Sequence, residues 1–227
     1  MPDYSRTLDR VETYFDTTAT QTWERLTSDA PVSKVRATVR AGRDQMRDVM
    51  LGTLPDDLTG ARVLDAGCGA GQMTIELAKR GADVVAVDIS PSLIDIAKQR
   101  LPREFHKQVS FHAGDMLNNA HGAFDHVLAM DSLIYYSASD IGAALAKLAP
   151  RVRENITFTV APRTAFLMTF FGIGKLFPRS DRSPVMIPHT AERLAQATRD
   201  AGVKGGLRVV ERVNSGFYIS QAMELRP

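Results

Sequence analysis

Three glycines stand at alternate positions, Gly67, Gly69 and Gly71, in the run Val63-Leu-Asp-Ala-Gly-Cys-Gly-Ala-Gly71. A short apolar run with strand character precedes them, and a helix-like run from Gln72 to Lys79 follows. A strand that turns at once into a helix needs residues able to take backbone conformations closed to side chains, and glycine also lets a ligand approach the backbone closely. The amides at the helix start favour an anionic group such as a carboxylate. This order of strand, glycine turn and helix predicts a parallel α/β sheet with a ligand at the carboxyl end of its strands.

The surrounding pattern agrees. Strands are expected at Arg62 to Asp65, Asp83 to Val87, near Val109 to His112 and at Phe124 to Met130. Between them come helices at Gln72 to Lys79 and at Pro91 to Arg100, the latter with Ser90 as N-cap and Pro91 in the first turn. A helix from Ile141 to Leu148 stops around Pro150, a strand follows at Ile156 to Val160, and a helix from Ala191 to Ala201 is closed by Gly202. Leu207 to Val213 is a sixth strand. Asn214-Ser-Gly216 is too short for a helical crossover, so Phe217 to Glu224 should return antiparallel beside it. The expected fold is α/β, a Rossmann-like sheet of seven strands with the last antiparallel and helices on both faces.

Two segments fall outside this rhythm. Residues 1–54 read as helical, with Val32, Val35, Val39, Met46 and Met50 at roughly helical spacing. Residues 162–188 form an insertion after the fifth strand. The domain reading is an N-terminal helical segment over 1–54, a candidate lid, and one ligand-binding domain over 55–227. A chain of 227 residues, 44% hydrophobic and 24% charged, can bury the core this requires. Its net charge of +2 exerts no global pull toward nucleic acid. Cys68 is the only cysteine, so no intramolecular disulfide can form, and a reducing cytoplasm suits the chain. Met1 to Arg10 lacks the apolar core of a secretory signal, and no stretch reaches the roughly 18 to 20 apolar residues of a membrane span.

Nicotinamide-dependent dehydrogenases also use a glycine turn, but with G-x-G-x-x-G spacing, whereas here it is G-x-G-x-G. Asp65 precedes the turn, Asp88 ends the second strand, and Asp115 stands in Ala113-Gly-Asp-Met116 after the third. In this combination the chain resembles the S-adenosylmethionine-dependent methyltransferases. The resemblance implies that Gly67, Gly69 and Gly71 line the methionine part of the cofactor and that Asp65 helps orient it. Asp88 would accept from both ribose hydroxyls, Ile89 would pack on the adenine, Asp115 would take the adenine amino group with the Met116 backbone beside it, and Met130 would complete the pocket.

Four further stretches narrow the family. They are Tyr14-Phe-Asp16 with Trp23, Val35-Arg-Ala-Thr-Val-Arg-Ala-Gly42, Met130-Asp-Ser-Leu-Ile-Tyr-Tyr136, and Leu176-Phe-Pro-Arg-Ser-Asp-Arg182 with Ser215-Gly-Phe-Tyr218. Together they look like the magnesium-protoporphyrin methyltransferases of bacteriochlorophyll and chlorophyll synthesis. The implied reaction moves the methyl of S-adenosylmethionine to a propionate of magnesium protoporphyrin IX, leaving S-adenosylhomocysteine. A carboxylic acid with a reference pKa of about 4.3 is already ionised at neutral pH, so the nucleophile needs no general base. Asp131, Tyr135 and Tyr136 follow the fourth strand and are the catalytic candidates, although some relatives have histidine where Tyr135 stands. Tyr14, Trp23, Arg163, Phe170, Phe171, Phe177, Arg179 and Arg182 are the candidate acceptor contacts, because aromatic and basic groups suit a flat macrocycle bearing carboxylates.

Arg36, Arg40, Arg43 and Arg47 form one helical stripe. With Asp44 among them, a solvated face is expected ahead of propionate, lipid or partner binding. The five histidines show no metal-ligand spacing, so no protein-bound metal is expected. The resemblance also implies the porphyrin-binding subunit of magnesium chelatase as a partner and leaves open peripheral contact with the photosynthetic membrane. The rival readings are a methyltransferase with another apolar acceptor such as a quinone, a nicotinamide-dependent oxidoreductase, and a non-catalytic tetrapyrrole carrier.

Overall fold

A computed structural model describes residues 2–14, 16, 34–164 and 185–227. Among the described residues, the helices α1 (Pro2–Tyr14) and α2 (Lys34–Leu51) precede the sheet. The order then runs β1 (Arg62–Ala66), α3 (Gln72–Lys79), β2 (Asp83–Asp88), α4 (Pro91–Arg100), β3 (Val109–Ala113), β4 (Phe124–Ala129), α5 (Ala138–Leu148), β5 (Val152–Val160), α6 (Ala191–Asp200), β6 (Gly206–Ser215) and β7 (Tyr218–Arg226).

The seven strands lie in the order β3-β2-β1-β4-β5-β7-β6. The first five are parallel; β7 runs antiparallel to both β5 and β6, with Phe158 opposite Met223 and Ser215 opposite Tyr218. Strand order reverses between β1 and β4, so the connections leaving these two neighbours diverge and open a crevice at their carboxyl ends.

The central strands are apolar on both faces, which is why they read as continuous runs rather than alternations. Leu64, Val87, Val127 and Phe158 pack on one face with Ile141, Leu145 and Leu194 from α5 and α6. Val63, Val84 and Leu128 pack on the other with Met46 and Met50 of α2 and Leu77 of α3. Caps set the helix starts: the Ser90 hydroxyl accepts from Leu93 N, Ser137 from Asp140 N and Thr190 from Arg193 N. The Ser137 cap starts α5 three residues before the apolar pattern does, and β5 extends back to Val152 because its first residues pair with β4.

The base of the 162–188 insertion is closed by short hydrogen bonds. Arg163 N donates to the His189 carbonyl at 2.9 Å, His189 N to that of Ala161 at 2.8 Å, and Ile187 N to that of Ile134 at 2.9 Å. The insertion therefore leaves and re-enters the fold beside the residues that follow β4.

Candidate active site

The turn after β1 enters α3 through three left-handed glycines, with φ of 83° at Gly67, 53° at Gly69 and 84° at Gly71. A Cβ on Gly67 would overlap the Cβ of Ser132, so this glycine lets the β1 turn and the segment after β4 close on each other. Gly67 N and Cys68 N donate to the Val87 carbonyl at 2.7 and 3.0 Å, which ties the turn to β2.

Two buried acids flank the turn. Asp65, 1% exposed, accepts from the Thr74 hydroxyl at 2.5 Å. Burial pushes its pKa up to about 7; the Thr74 bond opposes the shift and the charge of Asp88 adds to it. Asp88 accepts from Gly69 N at 2.7 Å and Ser90 N at 3.0 Å, and burial outweighs these amides to push it up to about 6. Ser90 also donates to Asp16 at 2.5 Å, which brings the chain beyond α1 over the same strand end.

Asp65, Asp88 and the glycine turn line an open cleft together with Ile89, Met116, Met130, Asp131, Tyr135 and Tyr136. Leu8 and Val11 of α1 and Arg43 and Arg47 of α2 complete the wall. The solvated face expected for the arginine stripe is therefore corrected: Arg36 is exposed and Arg40 half-buried, while Arg43 and Arg47 turn to the cleft because the buried Met46 and Met50 seat that side of α2 on the sheet. Arg47 does bond Asp44, at 2.7 Å.

Asp131 takes φ 56°, the one non-glycine residue with positive φ among the described residues. Its carboxylate pairs with Arg43 and accepts from the Tyr218 hydroxyl at 3.0 Å and the Thr159 hydroxyl at 3.2 Å. Tyr135 packs with Tyr14 and Ile89 on Val11 and Leu93. Tyr136 stacks on Tyr4, with ring centroids 4.9 Å apart. Burial raises the pKa of both Tyr135 and Tyr136, so each hydroxyl keeps its proton through the neutral range.

A family model described as magnesium-protoporphyrin IX methyltransferase C-terminus matches residues 129–227, and one described as methyltransferase domain matches 63–155. A magnesium-protoporphyrin O-methyltransferase from Rhodobacter capsulatus is 62% identical over 226 residues, covering 99% of each chain. The chain belongs to the magnesium-protoporphyrin O-methyltransferases. Within that family, a chloroplastic relative from Arabidopsis thaliana is 30% identical, covering 96% of this chain and 70% of that one. The crystal structure of a magnesium protoporphyrin IX methyltransferase from Synechocystis PCC 6803 with bound SAH superposes with a TM-score of 0.80 at 30% identity, covering 95% of this chain and 97% of that one.

Against the expectations for a magnesium-protoporphyrin methyltransferase, the fold brings Asp65, Gly67, Gly69, Asp88, Ile89, Met116, Met130, Asp131, Tyr135 and Tyr136 into one cleft. Gly71 stands just behind it, where a Cβ would press on Ala97 at 3.1 Å. Asp115 does not line the cleft. Its Oδ1 accepts from the Tyr4 hydroxyl at 2.8 Å and Leu117 N at 2.9 Å, so α1 covers the acid expected to meet adenine. Tyr14 lies one layer out, against Tyr135, and the Arg163 side chain is exposed. Trp23, Phe170, Phe171, Phe177, Arg179 and Arg182 lie outside the described residues.

The histidines hold local structure. His126 bonds Asn155 at 2.7 Å, His189 the Tyr136 carbonyl at 2.9 Å and His106 the Leu101 carbonyl at 3.2 Å, while the rings of His112 and His121 touch. The sequence reading missed Ser132 and Tyr4, and it set Arg43 and Arg47 on a solvated face. Ser132 carried a signal, since it sits inside the Met130 to Tyr136 stretch. Tyr4 carried one as well, since Tyr4, Leu8 and Val11 fall at i, i+4 and i+7 of an otherwise polar helix.

Proposed function

We propose that the protein transfers the methyl group of S-adenosylmethionine to a propionate carboxylate of magnesium protoporphyrin IX, giving the monomethyl ester and S-adenosylhomocysteine. The observation that carries the reading is the full-length relationship to the Rhodobacter capsulatus enzyme, which extends through the glycine turn and the segment after β4.

The cleft fits the cofactor. The Ser132 hydroxyl is buried against the glycine turn and has no hydrogen-bond partner among the described residues, so it is a polar group suited to a ligand there. Asp88 is held by two amides that fix its plane and leave lone pairs for ribose hydroxyls. Asp65 supplies negative charge near a cationic methionine moiety, and Ile89 and Met116 supply apolar surface for the adenine. Arg43 and Arg47 present positive charge to the anionic groups that enter the cleft. When bound, the cofactor supplies a sulfonium methyl, which passes to a carboxylate oxygen as the S–C bond pair returns to sulfur.

This chain's own work is placement and exclusion of water. No proton moves, and the protonated Tyr135 and Tyr136 hydroxyls act as donors that orient the propionate, not as bases. Orientation alone can supply effective molarities of roughly 10⁵ to 10⁸ M. The insertion over 162–188 and the segment over 1–54 are the proposed walls of the acceptor site, the latter also a lid. The porphyrin-binding subunit of magnesium chelatase is the proposed source of the acceptor. Peripheral contact with the photosynthetic membrane is part of the same reading, and no helix among the described residues is long and apolar enough to cross a membrane. Labelled S-adenosylmethionine offered with a panel of porphyrins and quinones tests the reading by mass spectrometry. A porphyrin monoester is expected; label on a quinone alone overturns it.

A further inference from the structure

We propose that Arg43 is the specificity-determining residue that recognises the ionised propionate of the acceptor, held in place by Asp131 and Tyr218. The inference rests on the methyl-transfer reading above and adds to it a residue from the N-terminal helix α2.

Arg43 reaches across the fold to Asp131, 88 positions later in the chain. Helix α2 lies close enough for this because position 42 is glycine: a Cβ there would come within 2.7 Å of the Tyr218 ring. Tyr218 in turn donates to Asp131 at 3.0 Å, and Thr159 anchors it twice, through its hydroxyl bond to the carboxylate at 3.2 Å and by accepting from Asp131 N at 2.7 Å. Three elements thus converge on one carboxylate. They hold it in a left-handed conformation that is costly for a residue bearing a side chain and persists only where the surroundings over-determine it.

The charge arithmetic gives this cluster its purpose. Asp131 lines the cleft beside Tyr135, in the segment to which the methyl-transfer reading assigns the acceptor carboxylate. Alone it would repel that carboxylate; paired with Arg43, the cluster is neutral. The guanidinium carries five donors in a planar fork and can serve two carboxylates together. Arg43 lines the same cleft, so the acceptor's anion meets a cation whose position is already set, with both paired side chains mostly buried, at 13% and 8% exposure. Methylation then removes the charge that Arg43 recognises. The esterified propionate is neutral while the second keeps its charge, so at this contact the enzyme discriminates its substrate from the monoester product and releases the product more readily.

The test is the preference of the S-adenosylhomocysteine-loaded enzyme for magnesium protoporphyrin IX over its dimethyl ester, read by porphyrin fluorescence. The parent should favour the diacid by roughly tenfold or more. Arg43→Gln should lose that preference and raise the porphyrin KM by a similar factor, with S-adenosylmethionine affinity by calorimetry within about twofold of the parent. Arg43→Lys should keep part of the preference. The double variant Arg43→Gln with Asp131→Asn carries no unpaired buried charge, so it reports even where the single variant fails to fold, and it too should lack the preference. An Arg43→Gln enzyme that still favours the diacid as the parent does overturns the proposal. So does a double variant in which the preference returns, because Arg43 would then only neutralise Asp131. A parent that methylates no porphyrin overturns the underlying reading instead.

Discussion

Asp65 and Asp88 are held neutral more easily than ordinary carboxyls, because burial at the strand ends strips them of water. Their folded values of about 7 and 6 stand above the unfolded value near 3.9. The stability contributed by the protonated acids is therefore complete below about pH 4 and is lost as pH rises through 6 to 7. Asp65→Asn should raise the unfolding midpoint of the cofactor-free protein more at pH 8 than at pH 5. Binding of a cationic cofactor selects the ionised acids, so affinity for S-adenosylmethionine should increase from pH 5 to pH 8 and that slope should flatten in Asp65→Asn. Calorimetry at four pH values checks both, and a parent affinity independent of pH would refute the role given to Asp65. Chemistry should behave differently: at saturating cofactor, single-turnover methyl transfer is expected to be nearly flat above pH 6, because the propionate is already ionised. Tyr135→Phe should slow it by roughly tenfold through loss of one donor, without changing that flatness. A rate rising tenfold per pH unit through neutrality would require a general base.

At the scale of elements, α2 joins stability to the site. Met46 and Met50 are fully buried against the sheet face that also carries Val63 and Leu128, and the same helix turns Arg43 and Arg47 to the cleft. Met50→Ala should cost about 2 to 5 kcal/mol in urea unfolding, the range for opening a cavity under a buried large side chain. A loss below about 1 kcal/mol would mean that α2 is only loosely docked. The apolar spacing of this helix was legible in the sequence, and so was the possibility of an anion-binding stripe. The side on which the stripe would lie was not, because i, i+3 and i+4 spacing identifies a face without identifying what covers it. Helix α1 makes the same point with a polar sequence: Tyr4 is 4% exposed, stacks on Tyr136 and donates to Asp115.

For the whole molecule, the decisive feature is the reversal of strand order between β1 and β4, since it brings the glycine turn and the Asp131 to Tyr136 segment side by side in the lining of one crevice. Leu8, Val11, Arg43 and Arg47 of α1 and α2 line that crevice, and the ends of the insertion meet beside the residues that follow β4. The hydrogen bonds between Arg163, His189 and Ala161 bring the two ends of the insertion together, so residues 165–184 can be replaced by a short Gly-Ser linker without stretching the base. The shortened protein is expected to bind S-adenosylmethionine with nearly parental affinity and to lose magnesium protoporphyrin binding and methyl transfer. Circular dichroism establishes that it folds; if it folds, binds cofactor and still methylates the porphyrin at the parental rate, the acceptor is held elsewhere, most directly under the N-terminal helices.

Local chemistry made much of this readable from the chain alone. Ser90 before Pro91, glycines at alternate positions after an apolar run, and a three-residue link between two β-rich runs each act within a few residues, so the helix cap, the turn and the antiparallel β6 and β7 hairpin were determined by sequence. Asp65, Asp88 and Met130 were legible for the same reason: each ends or follows a strand whose carboxyl end faces the crevice. What only the tertiary structure decided are contacts between elements far apart in the chain. Arg43 meets Asp131 across 88 positions, Tyr4 meets Asp115 across 111, and Gly67 is closed upon by Ser132. Periodicity marks a surface for burial or exposure, but the partner of that surface follows from how the helices seat on the sheet, which depends on the volume and charge of both contacting faces at once.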